Sequence, residues 1–248
     1  MTSSGTEVGP GLHRFTQPIV NSYASVDGGK VTVVDASVPR DYELLVAGLA
    51  TLGRSIADVE AIVLTHAHSD HMGFAERLRV TTDAAVSVHR DDVAVALGRA
   101  KQPKEVPLWR YAWRWSALGF LSYAAKRGGA KIIPVGEARS FDDGEVLDVP
   151  GRPRVIHAPG HTAGNCALLL ERRGALISGD VLITYNVLTG RTGPQIPPRA
   201  FNASSDQALR SLERLSGLRA EVMLPGHGQP WRGGVDEAIR QARRAGFS

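Results

Sequence analysis

A single cysteine, Cys166, is the whole thiol complement of this 248-residue chain, so no disulfide can close within it. Long apolar runs are missing as well. A membrane span needs roughly 20 uninterrupted apolar residues, and the nearest stretch, Leu108 to Ala125, is broken by Arg110 and Arg114. The first ten residues, MTSSGTEVGP, hold neither a basic n-region nor an apolar h-region. Together these absences predict a protein of the reducing cytoplasm with no integral membrane segment. Low-complexity tracts, solenoid repeats and long linkers are also lacking, so one domain over 1–248 is expected. Hydrophobic residues at 43% and charged residues at 22% exclude the disordered and fibrous classes.

Acidic residues are scarce in one place. From Arg99 to Lys131 there are eight basic residues and one acid, Glu105, an excess larger than the net charge of +4 for the whole chain. The remainder is therefore slightly acidic, which argues against a uniformly basic protein that coats nucleic acid.

Short β-branched runs alternate with helical patterns, which predicts an α/β protein. Extended segments are expected at Pro18 to Val26, Lys30 to Asp35, Val59 to Thr65, Ala84 to Val88, Arg154 to His157, Cys166 to Leu170, Ala175 to Ser178 and Ala220 to Leu224. Helices are expected at Asp41 to Leu52, Gly73 to Val80, Asp91 to Leu97, Leu108 to Lys126, Ser205 to Leu215 and Val235 to Ala245. Ser204 and Gln207 have capping-box spacing ahead of the fifth.

After the strand at Val59 to Thr65 comes His66-Ala67-His68-Ser69-Asp70-His71. Imidazole and carboxylate are the usual ligands of zinc and its neighbours, and ligands one or two residues apart converge only from a sharply turned loop. His161, Asp180 and His227 each follow another expected strand. If these strands share one sandwich, seven ligand groups collect along one rim, enough for two metals. The natural division gives His66, His68 and His161 to one ion, Asp70, His71 and His227 to the other, and Asp180 to both. Each ion then keeps a position open for a shared hydroxide.

The motifs THAHSDHMG at 65–73, APGHTAG at 158–164, SGD at 178–180 and PGHG at 225–228 resemble, in order, those of the metallo-β-lactamase superfamily. The resemblance runs from about Pro18 to Trp231 and implies a four-layer αββα sandwich with a di-metal site at one edge. It implies the same seven ligands in the same division, loaded with two divalent ions, zinc first and manganese or iron as alternatives. Ser37 departs from the glycine that the family often carries two residues after its Asp35-like aspartate. With 21 residues after His227, the C-terminal substrate domain of glyoxalase II-like enzymes is not expected, nor is a nuclease-type inserted domain.

The expected activity is that of a dinuclear hydrolase in which a metal-bridging hydroxide, oriented by Asp70, attacks the carbonyl of an ester, lactone or thioester. A persulfide dioxygenase-like mononuclear iron enzyme, a phosphodiesterase or nuclease, and a β-lactamase are the competing readings. A metal-free binding module would have no use for seven intact ligands. Tyr185 and Tyr23 are rival donors to the oxyanion or else simply wall the cleft. Asp35 and His157 are expected to support ligating histidines, whereas Cys166 reads as a buried small hydrophobe.

Six of the fifteen aromatic residues, Trp109, Tyr111, Trp113, Trp115, Phe120 and Tyr123, fall within the basic segment. A helix apolar on several faces must be covered. The body of the protein, a second subunit in a homo-oligomer, single-stranded nucleic acid or an acyl substrate could cover it. In the last case, segment 99–131 is a helical cap, and Trp113 meets the acyl tail of a small-molecule substrate.

Overall fold

The computed structural model describes residues 5–16, 19–129 and 132–248. Pro18, where the first expected strand begins, and Lys131 of the basic segment lie outside the described residues. Among the described residues, thirteen strands and six α-helices follow in the order β1 (Thr6–Gly9), β2 (Leu12–Thr16), β3 (Asn21–Asp27), β4 (Lys30–Val34), α1 (Tyr42–Thr51), β5 (Val59–Val63), α2 (Ala75–Thr82), β6 (Ala85–His89), α3 (Val93–Ala96), α4 (Trp115–Arg127), β7 (Arg139–Phe141), β8 (Arg154–His157), β9 (Cys166–Leu170), β10 (Ala175–Gly179), β11 (Ile183–Tyr185), β12 (Thr192–Gln195), α5 (Ser205–Ser211), β13 (Val222–Pro225) and α6 (Val235–Ala245).

Side-chain alternation along the strands builds the layers. In β9, Ala167 and Leu169 face one way, while Cys166, Leu168 and Leu170 face the other. In β10, Leu176 is set against Ala175 and Ile177 in the same manner. Val33 and Ile62 pack outward on Leu45 and Leu49 of α1 and Leu78 of α2, whereas Val34 and Val63 point inward. The inward sets of both sheets meet in one apolar layer, and α5 and α6 cover the far face through Ala208, Ala238, Ile239 and Ala242. Because a strand has period two, each central strand serves two of these layers. The result is helix, sheet, sheet, helix: the four-layer αββα order.

The first sheet runs β1-β2-β3-β4-β5-β6-β7, with β4, β5, β6 and β7 mutually parallel. The second runs β13-β10-β9-β8. Within it β9 is antiparallel to both β8 and β10, and β10 is parallel to β13. Hence β8, β10 and β13 share one direction, and their C-terminal ends open on one edge. The histidine loop follows β5, and His161, Asp180 and His227 follow β8, β10 and β13.

Several expectations needed adjustment. The helix expected over Leu108 to Lys126 is interrupted: a 3-10 turn at Leu108–Tyr111 precedes α4, and Arg114 is extended at φ −94°, ψ 129°. One straight helix would have exposed Tyr111. The break lets Tyr111 bury and donate its hydroxyl to the Ser248 carbonyl at 2.7 Å. The helix expected at Ser205 to Leu215 likewise ends its α geometry at Ser211 and tightens to 3-10 over Leu212–Leu215. Ser204 caps α5 by accepting the Gln207 N–H. The short strands β1, β2, β7, β11 and β12 carried no clear period in the sequence.

Leu168 lies fully buried between the sheets, so Leu168→Ala removes packing that no surface rearrangement replaces. Urea denaturation is expected to show a loss of about 2–5 kcal/mol. A loss below half a kcal/mol would mean that the inter-sheet layer is not the core.

Candidate metal centre

The structure brings all seven predicted groups together at the shared edge. The ligand atoms of His66, His68 and His161 lie within 4.8 Å of one another, as do those of Asp70, His71 and His227. A third, overlapping group joins His66, His71 and Asp180. His66 Nε2 and His161 Nε2 are 3.2 Å apart, and His71 Nε2 and His227 Nε2 are 3.4 Å apart. Asp180 Oδ2 sits 3.4 Å from His161 Nε2 and 3.2 Å from His227 Nε2, and so reaches both triads. Tetrahedral bonds of about 2.0–2.1 Å put neighbouring ligands about 3.4 Å apart, so these spacings suit a transition metal.

Polar satisfaction gives an independent test. Asp180 is buried, yet its Oδ1 has no hydrogen-bond partner among the described residues. Burial alone would raise its pKa, but the imidazoles of His227 and His71 hold the carboxyl far below the ordinary range. An ionised, orphaned oxygen in a buried pocket is expensive unless a cation faces it. The first triad agrees. Burial first, and neighbouring imidazoles second, hold the pKa of His66 and His68 well below the ordinary histidine value, which keeps their lone pairs free. Burial also lowers that of His161. Burial opposes protonation of His71 and His227 too, but Asp35 and Asp180 reverse this at His71, and Asp180 reverses it at His227. The donor set thus fits divalent metal.

In four of the five rings, His66, His71, His161 and His227, the other nitrogen is anchored. His71 Nδ1 pairs with Asp35 Oδ2 at 2.9 Å. The Thr65 hydroxyl lies 3.0 Å from His66 Nδ1 and 2.9 Å from Asp35 Oδ2. His161 Nδ1 meets Asn202 Oδ1 at 2.9 Å, and His227 Nδ1 meets the Ile19 carbonyl. Such partners fix which nitrogen faces the metal. Asp35 adopts φ 58°, a strained choice for a non-glycine residue. It is held there by the Thr65 N–H at 2.8 Å as well as by the two side chains.

Sequence reasoning missed Asp92. This buried carboxylate accepts the Ala67 N–H at 2.8 Å, the Thr162 hydroxyl at 2.7 Å and the Gly164 N–H at 2.9 Å. It thereby ties the loop of His66 and His68 to the loop of His161. Gly164 must be glycine, since a Cβ there would lie 2.8 Å from the Asp92 carboxyl carbon. Asn202 was missed for a similar reason: Asp92 ends a 3-10 turn ahead of α3 and Asn202 lies in a loop, and neither belongs to a motif. Gly226, part of a motif, is explained by space, because a Cβ would come 2.3 Å from Asp180 Oδ1.

Other expectations move. Tyr23 is fully buried and donates its hydroxyl to the Pro225 carbonyl at 2.6 Å, so it is not free to serve an oxyanion. Tyr185 packs with Val187, Leu188 and Ala200 beneath the aromatic segment. His157 touches no ligand: its Nε2 pairs with the Ala163 carbonyl at 2.8 Å, and its ring stacks on His89 at 3.9 Å. With Asp91 these two histidines form another compact ligand-type group, but rings 11° from parallel aim their lone pairs along separate planes. Ser37, at φ 32°, donates its hydroxyl to Asp41 at 2.6 Å, a contact that glycine would lack. Cys166 is buried between the sheets, and burial raises its thiol pKa well above the ordinary value.

The cleft in front of the ligands is walled by Ile19, Val20, Val38, Phe201 and the inner face of α4 through Phe120, Tyr123 and Ala124, with Lys104 at its margin. Trp113, expected at the acyl tail, instead faces solvent.

Comparison with known proteins agrees with this geometry. The profile of the metallo-β-lactamase superfamily matches residues 16–227. The chain is 27% identical to the probable metallo-hydrolase YflN of Bacillus subtilis, over 94% of this chain and 89% of the relative. It is 26% identical to a beta-lactamase-like protein 2 homolog of Caenorhabditis elegans, over 86% of this chain and 57% of that one. Among solved structures, the metallo-beta-lactamase family protein TTHA1429 of Thermus thermophilus superposes with a TM-score of 0.71 at 27% identity, covering 96% of this chain and 80% of that one. A B3 metallo-beta-lactamase with an active-site glutamic acid shares the fold at a TM-score of 0.67 and 17% identity, covering 96% and 86%. The chain belongs to the metallo-β-lactamase superfamily, and its class is that of a metal-dependent hydrolase.

Asp92→Asn keeps the volume but loses one of the acceptors that join the two ligand loops. Metal affinity, measured by competition with a chromophoric chelator, is expected to fall about 10–100-fold. Unchanged affinity would reduce Asp92 to a packing role.

Proposed function

We propose that this enzyme is a dinuclear hydrolase of carbonyl substrates, an ester, lactone or thioester with an apolar acyl group. In this reading His66, His68 and His161 hold one divalent ion, Asp70, His71 and His227 hold a second, and Asp180 lies between them. Zinc is the first choice and manganese or iron the alternatives, since imidazole and carboxylate ligands accept all three. The observation that carries the reading is Asp180, whose two oxygens approach histidines of both triads. Two ions bound there would supply hydroxide at neutral pH and polarise a carbonyl.

The chain's own residues define the remaining roles. Asp70 is less buried than His71 and His227 and lines the cleft, 3.6 Å from His227 Nε2. In this reading its carboxylate orients the attacking water as well as binding metal. Phe120, Tyr123, Ala124 and Phe201 give the acyl group an apolar wall, and segment 99–131 serves as the cap that carries most of that wall. Such walls favour an acyl chain over a phosphodiester, which needs a polar cradle. An intact second triad favours two ions over the single iron of a dioxygenase.

A panel of p-nitrophenyl esters, lactones and thioesters, with bis-p-nitrophenyl phosphate beside it, tests this reading. Chelator-sensitive cleavage of a carbonyl substrate, restored by zinc or manganese, is expected. Phe120→Ala should lower kcat/KM for long-chain esters about tenfold more than for acetate esters, the scale of one or two buried methylenes. Equal losses on both chain lengths, or cleavage of the phosphodiester alone, would contradict it.

A further inference from the structure

We propose that the outer face of the aromatic segment is a docking surface for an anionic lipid bilayer. This surface is the side of α4 that faces away from the cleft, and its role is independent of what the cleft hydrolyses. Trp109, Trp113 and Trp115 are 74%, 74% and 87% exposed. That is far beyond the scattered apolar residues a surface normally shows. Leu118 and Leu121 extend the exposed strip along α4, followed by Ala125 one turn on. The inner residues Phe120, Tyr123 and Ala124 line the cleft, so one helix divides two apolar faces between a pocket and open solvent.

Charge selects the occupant. No Asp or Glu occurs from 106 through 136, whereas Arg110 stands exposed between Trp109 and Trp113 in the chain and Lys126 is exposed near the far end of α4. The Arg114 guanidinium lies 4.4 Å over the Trp113 ring, and Trp113 donates its indole N–H to the Arg110 carbonyl at 3.1 Å. The Trp113 ring is thus held in place by the chain itself. Exposed indoles flanked by cations suit the headgroup boundary of a membrane, where the indole sits between apolar and wet layers and the cations meet lipid phosphate. A two-fold contact between copies would match the patch with itself, setting Arg110 and Lys126 against like charge with no acid to answer them. At 13 residues α4 is far too short to cross a bilayer, so the mode is surface attachment.

Sedimentation of the full-length, metal-loaded protein with vesicles of equal parts phosphatidylcholine and phosphatidylglycerol, against phosphatidylcholine alone, tests this. Binding to the anionic vesicles is expected to exceed that to neutral ones at least tenfold and to weaken with added salt. Tryptophan emission should shift to the blue, because three of the four tryptophans lie in the patch. The triple variant Trp109→Ser, Trp113→Ser, Trp115→Ser should lose both signals while keeping its circular dichroism and its rate on a water-soluble short-chain substrate. Arg110→Glu with Lys126→Glu should weaken binding about fivefold per charge. Failure of the wild type to sediment, or equal sedimentation of wild type and triple variant, would overturn the proposal. So would a dimer in light scattering, or capture by single-stranded oligonucleotide, that the triple variant abolishes while vesicles are ignored.

Discussion

Five imidazoles and two carboxylates converge on one rim of this sandwich, and their mutual spacing of a few ångströms is the constraint on which the rest depends. Without a cation the arrangement works against itself: buried histidines crowd one another, and Asp180 keeps an oxygen with no hydrogen-bond partner among the described residues. The fold tolerates this because each ligand leaves the C-terminal end of a strand or the tight loop just after it. Parallel β4 and β5 in one sheet, and like-directed β8, β10 and β13 in the other, bring four separate chain segments to the same edge. Packing alone would leave those loops loose. Asp35 and Asp92 remove the slack, the first fixing His71 directly and His66 through Thr65, the second clamping two ligand loops together.

Much of this was legible in the chain itself. The strands at 154–157 and 166–170 and the helix at 235–245 have their expected limits, because a short apolar run stops sharply in each strand and a 3.6-residue period is unbroken in the helix. All seven converging groups were legible because metal binding imposes residue type and close spacing at once. Asp92 and Asn202 were not, since a carboxylate or amide that holds a loop by backbone hydrogen bonds needs no particular neighbours in sequence. The aromatic segment was misread as one helix for a related reason. Its composition satisfied every face of a helix, and only the burial of Tyr111 against the C-terminal Ser248 decided where the helix breaks.

That segment links site and surface. Its inner aromatic side chains narrow the cleft in front of the ligands, and its outer tryptophans stand in solvent between cations. Residues that serve neither role are few along α4. Ala117 is buried against Val187, Leu188 and Ala200, and Gly128, at φ 82°, closes the helix in the left-handed conformation that favours glycine. On the proposed reading, variation in this one segment would change both what reaches the cleft and whether the protein attaches to a membrane, without disturbing the sandwich that carries the ligands.

Metal content per chain is the most direct test of the central claim, that the seven groups form a two-ion site. Mass spectrometry of protein purified without chelator or affinity metal should find close to two transition-metal ions per chain, falling toward one or none in Asp180→Ala. A stoichiometry of one iron per chain, or none after reconstitution with zinc and manganese, would contradict it.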